Sequence, residues 1–248
     1  MRNTSLFLFA GLASFGVLAE EEQKPKDFTL DGEVGFIFTT GNTETSSFKG
    51  RLTSHHELEM WSNDYVLEAL YKKDEVTTDS GNEETQTSAQ KFFVSGQGNY
   101  KLKNPDNRLF AFASYEDDRF SSFDYQATIA GGWNSKVWDD DSSTFSYSLG
   151  PGYSFADTVE GEDASSFIVR AAGDYLWRIS DTATFKQLLS TEVGSENVKS
   201  KSETSISAQI NGSMSLKFSI VLNHNSEVEA GTENLDTETA ATLVYTFF

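Results

Sequence analysis

Three histidines, His55, His56 and His224, are the side chains in this chain whose unperturbed charge changes near neutral pH, and there is no cysteine among 248 residues. His224 opens the run His224-Asn225-Ser226. In extended backbone, residues two apart share a face, so this imidazole could serve as base for the Ser226 hydroxyl, given a third group to fix its tautomer. That would be a lipid hydrolase. The spacing arises easily by chance in a Ser-rich chain, and the local alternation groups His224 with apolar neighbours. A histidine at a strand tip is the plainer reading, and no catalytic residue is assigned.

Metal chemistry fares no better. His55 and His56 are adjacent, so their rings point to opposite faces of a strand and cannot chelate one ion together. No zinc-type spacing is present. The acidic stretches 79–84 and 229–236 could loosely hold Ca²⁺ or Mg²⁺, but they lack the ordered Asp-x-Asp-x-Asp-Gly spacing of a calcium loop. No glycine-rich phosphate loop joins a strand to a helix. The expectation is a protein without metal or cofactor that is not an enzyme.

A different set of polar residues carries more information. Glu33, Lys49, Arg51, Glu68, Lys72, Arg170, Asp174, Arg178 and Lys217 fall on the polar phase of alternating segments, joined by Asp31, Lys186 and Glu192. Facing one another across an enclosed space, they would form a mixed-charge lumen. Such charges either pair and plug it or line a narrow selective pore.

The elements that would position them are strands. Phe28, Leu30, Val34, Phe36 and Phe38 alternate with Thr29, Asp31, Glu33 and Thr39. The same period of two returns at Phe123–Trp133, Phe145–Phe155, Phe167–Trp177 and Leu216–Leu222. Turn signals divide the chain into twelve strands: 28–40, 45–59, 64–76, 87–102, 108–117, 122–137, 143–156, 164–179, 183–194, 202–213, 216–228 and 237–248. Tight breaks, such as Trp61-Ser62-Asn63 and Gly212-Ser213, alternate with longer acidic ones at 76–85, 156–163, 195–201 and 229–236. Segments of about ten residues suit a tilted strand crossing a bilayer. Aromatic residues cluster near strand ends, as interfacial girdles require. Pro151 cannot donate a ladder bond and suggests a bulge.

Composition agrees. A formal charge of −19 argues against nucleic acid as a partner. Aromatics at 13% argue against an acidic disordered chain. Residues 1–19 read as a signal peptide, with Arg2 before an apolar stretch too short for a spanning helix. Residues 20–27 read as a leader, and 28–248 as one closed, antiparallel, up-and-down transmembrane β-barrel. An all-β barrel of this kind is placed in the outer membrane of a Gram-negative cell, touching outer-membrane lipids and lipopolysaccharide. Its last strand, ending at Phe248, resembles the segment read by the barrel-assembly machinery, although Phe248 is out of phase with Leu243, Tyr245 and Phe247.

Thr39-Thr40-Gly41-Asn42-Thr43-Glu44-Thr45, the mid-chain Gly150-Pro151-Gly152-Tyr153 and the aromatic last strand together resemble a domain-of-unknown-function family labelled salt-induced outer membrane protein, or YdiY-like. The resemblance covers nearly all of the chain after the signal peptide. It implies an outer-membrane barrel and supplies no catalytic residues. The functions expected are a porin-like narrow pore or a protein of permeability or envelope stress. The alternatives are a lipid hydrolase using His224 and Ser226, a plugged structural barrel, and a soluble periplasmic binding barrel.

Overall fold

The computed structural model describes residues 27–39, 45–77, 83–228 and 233–248. The expected signal peptide, most of the leader, the Thr40–Thr43 segment and much of the acidic stretches 79–84 and 229–236 lie outside the described residues.

Twelve antiparallel strands close into one barrel. They are β1 (Phe28–Thr39), β2 (Thr45–Glu57), β3 (Trp61–Thr77), β4 (Glu83–Lys101), β5 (Asn107–Asp118), β6 (Phe123–Asp139), β7 (Ser143–Thr158), β8 (Ser166–Ser180), β9 (Ala183–Gly194), β10 (Val198–Asn211), β11 (Met214–Asn225) and β12 (Leu235–Thr246). Each strand pairs with its sequence neighbours, and β1 pairs with β12 to close the ring. Strands of 12 to 19 residues are long for a soluble sandwich and suited to a tilted wall.

The period of two sorts the side chains inside out. Glu33, Arg51, Glu68, Asn99, Thr128, Glu203, Lys217 and Thr242 are buried, while Val34, Leu52, Leu67, Val94, Ile129, Val169 and Leu189 are exposed. Phe167 is 82% exposed. A water-soluble protein sorts these types the other way. A continuous apolar outer surface of this kind is matched to hydrocarbon.

Aromatic rings frame that surface at both ends. At the end where β1 begins and β12 finishes, Trp61 packs edge-on to Tyr100 at 5.2 Å, Trp138 lies 4.9 Å from Phe145, and Phe28 lies 6.0 Å from Phe248. At the other end, Tyr115 stacks on Tyr125 at 6.1 Å, and Tyr153 meets Phe155 and Phe167 at 4.8 and 5.1 Å. Phe248 thus joins the terminal girdle despite its phase.

Three local expectations need correction. Trp61-Ser62-Asn63 is not a turn but the start of β3, and the turn falls at residues 58–60. Residues 198–201 are not loop but the start of β10. Pro151 makes no bulge. Pairing between β6 and β7 skips Gly131 and Gly132 and resumes in the same register, with Ala130 opposite Gly152 and Trp133 opposite Leu149. The two backbones approach closely beside Pro151. A Cβ on Gly150 would lie 2.2 Å from the Gly131 carbonyl oxygen, and one on Gly132 would lie 2.4 Å from that of Leu149. Bulges occur elsewhere, at Lys72/Lys73 and Arg178/Ser180 among others.

Turn chemistry at the terminal end is local. The Asp140 carboxylate accepts bonds from the Ser142 hydroxyl at 2.6 Å and from the backbone N–H groups of Ser142 and Ser143 at 2.8 and 2.9 Å. These bonds, the Ser142 hydroxyl first, hold its pKa below the usual carboxylate range.

The glycine contact generates a test. Gly150→Ala inserts a methyl group against backbone that cannot yield, so it should cost about 1–3 kcal/mol of barrel stability. A lowered urea midpoint in detergent micelles, read by tryptophan fluorescence, checks this; an unchanged midpoint would contradict the close approach.

Candidate functional site

Inward phase places charges from distant strands in one lumen. The central run begins with Glu68 on β3, whose Oε2 is 3.7 Å from Arg51 Nε on β2. Arg51 Nη1 donates to both oxygens of Glu203 on β10, at 2.7 and 2.8 Å. Lys217 Nζ on β11 shares Glu203 at 3.1 Å and reaches both oxygens of Glu33 on β1, at 3.0 and 3.2 Å. Thr242 Oγ1 on β12 donates to Glu33 at 3.5 Å. The charges alternate in sign along this path. Since β2 and β10 are four strands apart around the ring, the Arg51–Glu203 bond has to run through the lumen.

A second group lies toward the loops. Lys91 on β4 is 3.2 Å from Glu116 on β5, and Lys199 on β10 approaches the same carboxylate at 3.4 Å from the far side. Lys199 Nζ also donates to Gln126 on β6 at 2.7 Å. Lys49 bonds Glu238 across β1. Lys201 on β10 lies 5.1 Å over the ring of Phe93 on β4. Those two strands are six places apart in a ring of twelve, directly opposite each other. One lysine side chain and one phenyl ring therefore span the lumen. Arg170 on β8 lies 3.7 Å over Phe112 on β5 and 3.4 Å from Glu192 on β9, whose other oxygen accepts from Thr128 at 2.8 Å.

The structure brings together Glu33, Lys49, Arg51, Glu68 and Lys217 of the residues expected in the lumen, with Arg170 beside them. Asp174, Arg178 and Asp31 make their contacts elsewhere. Asp174 pairs with Lys186 at 3.3 Å at the terminal mouth, both nearly half exposed. Arg178 donates to the Asp140 carbonyl at 3.0 Å on the rim. Lys72 is half-buried near the loop end of β3. Asp31 accepts from Thr246 at 2.6 Å, tying β1 to β12.

Sequence reading missed Lys91, Glu116, Lys199, Lys201, Glu203 and Glu238. Lys91 precedes two adjacent phenylalanines, which blur the phase. Glu116 sits in the acidic strand end Glu116-Asp117-Asp118, where hydropathy does not tell one face from the other. The signal for β10 was present: in Lys199-Ser200-Lys201-Ser202-Glu203 every charge falls on an odd position.

The histidines have local duties. His55 Nδ1 is 2.7 Å from Asp64, and His56 packs edge-on to Phe28 at 5.7 Å. The Ser226 hydroxyl accepts from the Val198 N–H at 2.8 Å and donates to Asn197 at 3.3 Å, which ties down the loop before β10. Among the described residues, these bonds tie Ser226 to Val198 and Asn197 rather than to His224.

A closed twelve-stranded barrel, apolar outside and polar within, has the fold of the outer-membrane β-barrels. The chain belongs to the family described as "Protein of unknown function, DUF481", whose model matches residues 32–247. A relative in Escherichia coli (strain K12), the uncharacterized protein YdiY, is 25% identical over 232 residues, covering 93% of this chain and 88% of its own. Among solved structures, the NanC porin aligns over 88% of this chain and 100% of its own, with a TM-score of 0.51 at 13% identity. A KdgM porin solved with oligogalacturonate aligns over 89% of this chain and 99% of its own, with a TM-score of 0.43 at 12% identity.

Glu203 is the shared acceptor of two buried cations, so Glu203→Gln leaves Arg51 and Lys217 undercompensated. Breaking a buried pair on one side costs about 3–5 kcal/mol. The urea midpoint of the folded barrel should fall accordingly, and a midpoint equal to the parent protein's would show that the bonds are dispensable.

Proposed function

We propose that this protein resides in the outer membrane and forms a narrow passage, shut in this conformation by its own lumen side chains. The apolar girdled wall supports contact with outer-membrane lipids and, at the loop end, lipopolysaccharide. The terminal strand through Phe248 is the segment offered to the barrel-assembly machinery. The observation that carries the passage reading is the reach of Lys201 from β10 to Phe93 on the opposite β4. A barrel of this strand count has an interior wider than side chains fill in an eight-stranded barrel and narrower than that of a sixteen-stranded porin. Among the described residues, charged side chains rather than a folded plug close the space, and ion pairs of this kind can exchange partners.

Planar-bilayer recording tests the reading. The parent protein should give small, infrequent conductance steps. Arg51→Ala combined with Glu203→Ala removes both halves of the central cross-lumen bond together, and should raise single-channel conductance several-fold. If neither protein produced steps, the passage would be excluded and a structural barrel with a filled lumen would stand in its place.

A further inference from the structure

The outer wall is not uniform around the ring. Between the aromatic girdles, the outward face of β3 to β8 presents Leu67, Val94, Ala113, Ile129, Leu149 and Val169, all exposed. On β9 to β12 the same face carries Gln187, Ser200, Ser202, Thr204, Thr237 and Thr239. They form one band. Thr204 stands between Gln187 and Ile220, and Ile220 faces Thr239; Ser202 stands between Leu189 and Leu222, and Leu222 faces Thr237. The band lies at mid-depth. On β10 it is bounded by Val198 toward the loops and Ile206 toward the other end, and on β12 by Leu235 and Leu243. It is therefore not a girdle position wetted by headgroups.

Some of these groups satisfy one another. Gln187 Nε2 donates to Ser202 Oγ at 3.0 Å, and Thr204 Oγ1 donates to Gln187 Oε1 at 2.6 Å. Ser202 accepts one bond and keeps its own proton to give. Thr237 and Thr239 are exposed, and among the described residues neither hydroxyl has a hydrogen-bond partner. Acyl chains cannot supply one, so a hydroxyl or amide facing them is a net cost. Between protein surfaces in a bilayer the same groups hold the surfaces together.

We infer that the β9–β12 face is where two copies of this chain pack side by side in the membrane. The partner must itself lie in the bilayer, because the band sits at hydrocarbon depth. It must be neutral there, because none of the band side chains is charged. Hydroxyl and carboxamide groups both donate and accept, so the band is complementary to itself. A two-fold axis through it sets the same patch on both sides of the contact. Leu189, Ile220 and Leu222, interleaved with the polar positions, supply the packing surface. Each barrel keeps its own lumen, so this pairing stands or falls independently of the passage.

The test uses the full barrel reconstituted in phosphatidylcholine vesicles at several protein-to-lipid ratios. The chain has no cysteine, so introduced ones report without background. Leu189→Cys, Ser202→Cys, Leu222→Cys and Thr237→Cys place one thiol on each strand of a single register row. Val94→Cys and Ile129→Cys place one on the wall away from the band. Copper-catalysed oxidation should give a disulfide-linked dimer from at least one of the four. The yield should hold as lipid is added, and the other two should give several-fold less. Gln187→Leu combined with Ser202→Ala and Thr204→Val makes the band resemble the rest of the wall. Energy transfer between labelled barrels should then show a dimer dissociation constant raised by about tenfold or more. If this variant fails to fold, the cysteine row decides alone. Equal cross-linking from both walls would be random collision and would overturn the inference. A dimer unweakened by the triple substitution would overturn it too. So would barrels that stay monomeric at every ratio, with lipid alone against the band.

Discussion

A charge taken out of water must be met by an opposite charge or it destabilises the fold by several kcal/mol. That constraint orders this barrel. Closing twelve strands into a ring removes their edges and satisfies the backbone, as a wall facing hydrocarbon requires. It also forces every second side chain into a confined interior. The outward side chains are mostly apolar, so the charged ones have only the lumen. Glu33, Arg51, Glu68, Glu203 and Lys217 meet there from five different strands. The pairing is a property of the closed ring, made of ion pairs between residues up to 189 positions apart in sequence.

The same pairing decides what the interior can do. Buried ion pairs seldom add much net stability over apolar replacements of similar shape, because desolvation offsets attraction. An apolar filling would shut the lumen permanently. A charged filling shuts it with groups that water and solutes can replace. Lys201 over Phe93 and Arg170 over Phe112 illustrate the intermediate case, where a cation uses an aromatic face in place of a full counter-ion shell.

Much of this was legible in the sequence, and the reason is the period of two. A strand with one wet and one greasy face writes its orientation into its residues, so β1, β6, β7, β8 and β11 could be read with their phases. Hydropathy gives no phase to the first half of β10, because Ser and Thr fill its outward positions too: Thr204 bonds Gln187 at 2.6 Å and Ser200 bonds Thr191 at 2.9 Å on the outer face. Where both faces are polar, hydropathy carries no phase, and Lys199, Lys201 and Glu203 were lost with it. Charges near strand ends misled in the other direction. Asp174 and Arg178 have the right phase but sit at the terminal mouth and rim, and depth along the strand is set by barrel tilt and stagger rather than by local pattern. Cross-lumen partners are a matter of ring geometry, which no single segment records.

The closing joint has its own consequence. β1 and β12 share four register pairs, Asp31 to Val34 against Thr246 to Leu243, while β1 and β2 share twelve. The Phe247 N–H reaching the Leu30 carbonyl at 2.9 Å extends the joint by one more bond. Mechanical or thermal fraying follows the line with fewest rungs to break. The barrel should therefore unzip first between its two ends, so that the strand completed last in synthesis is also the one that lets go first.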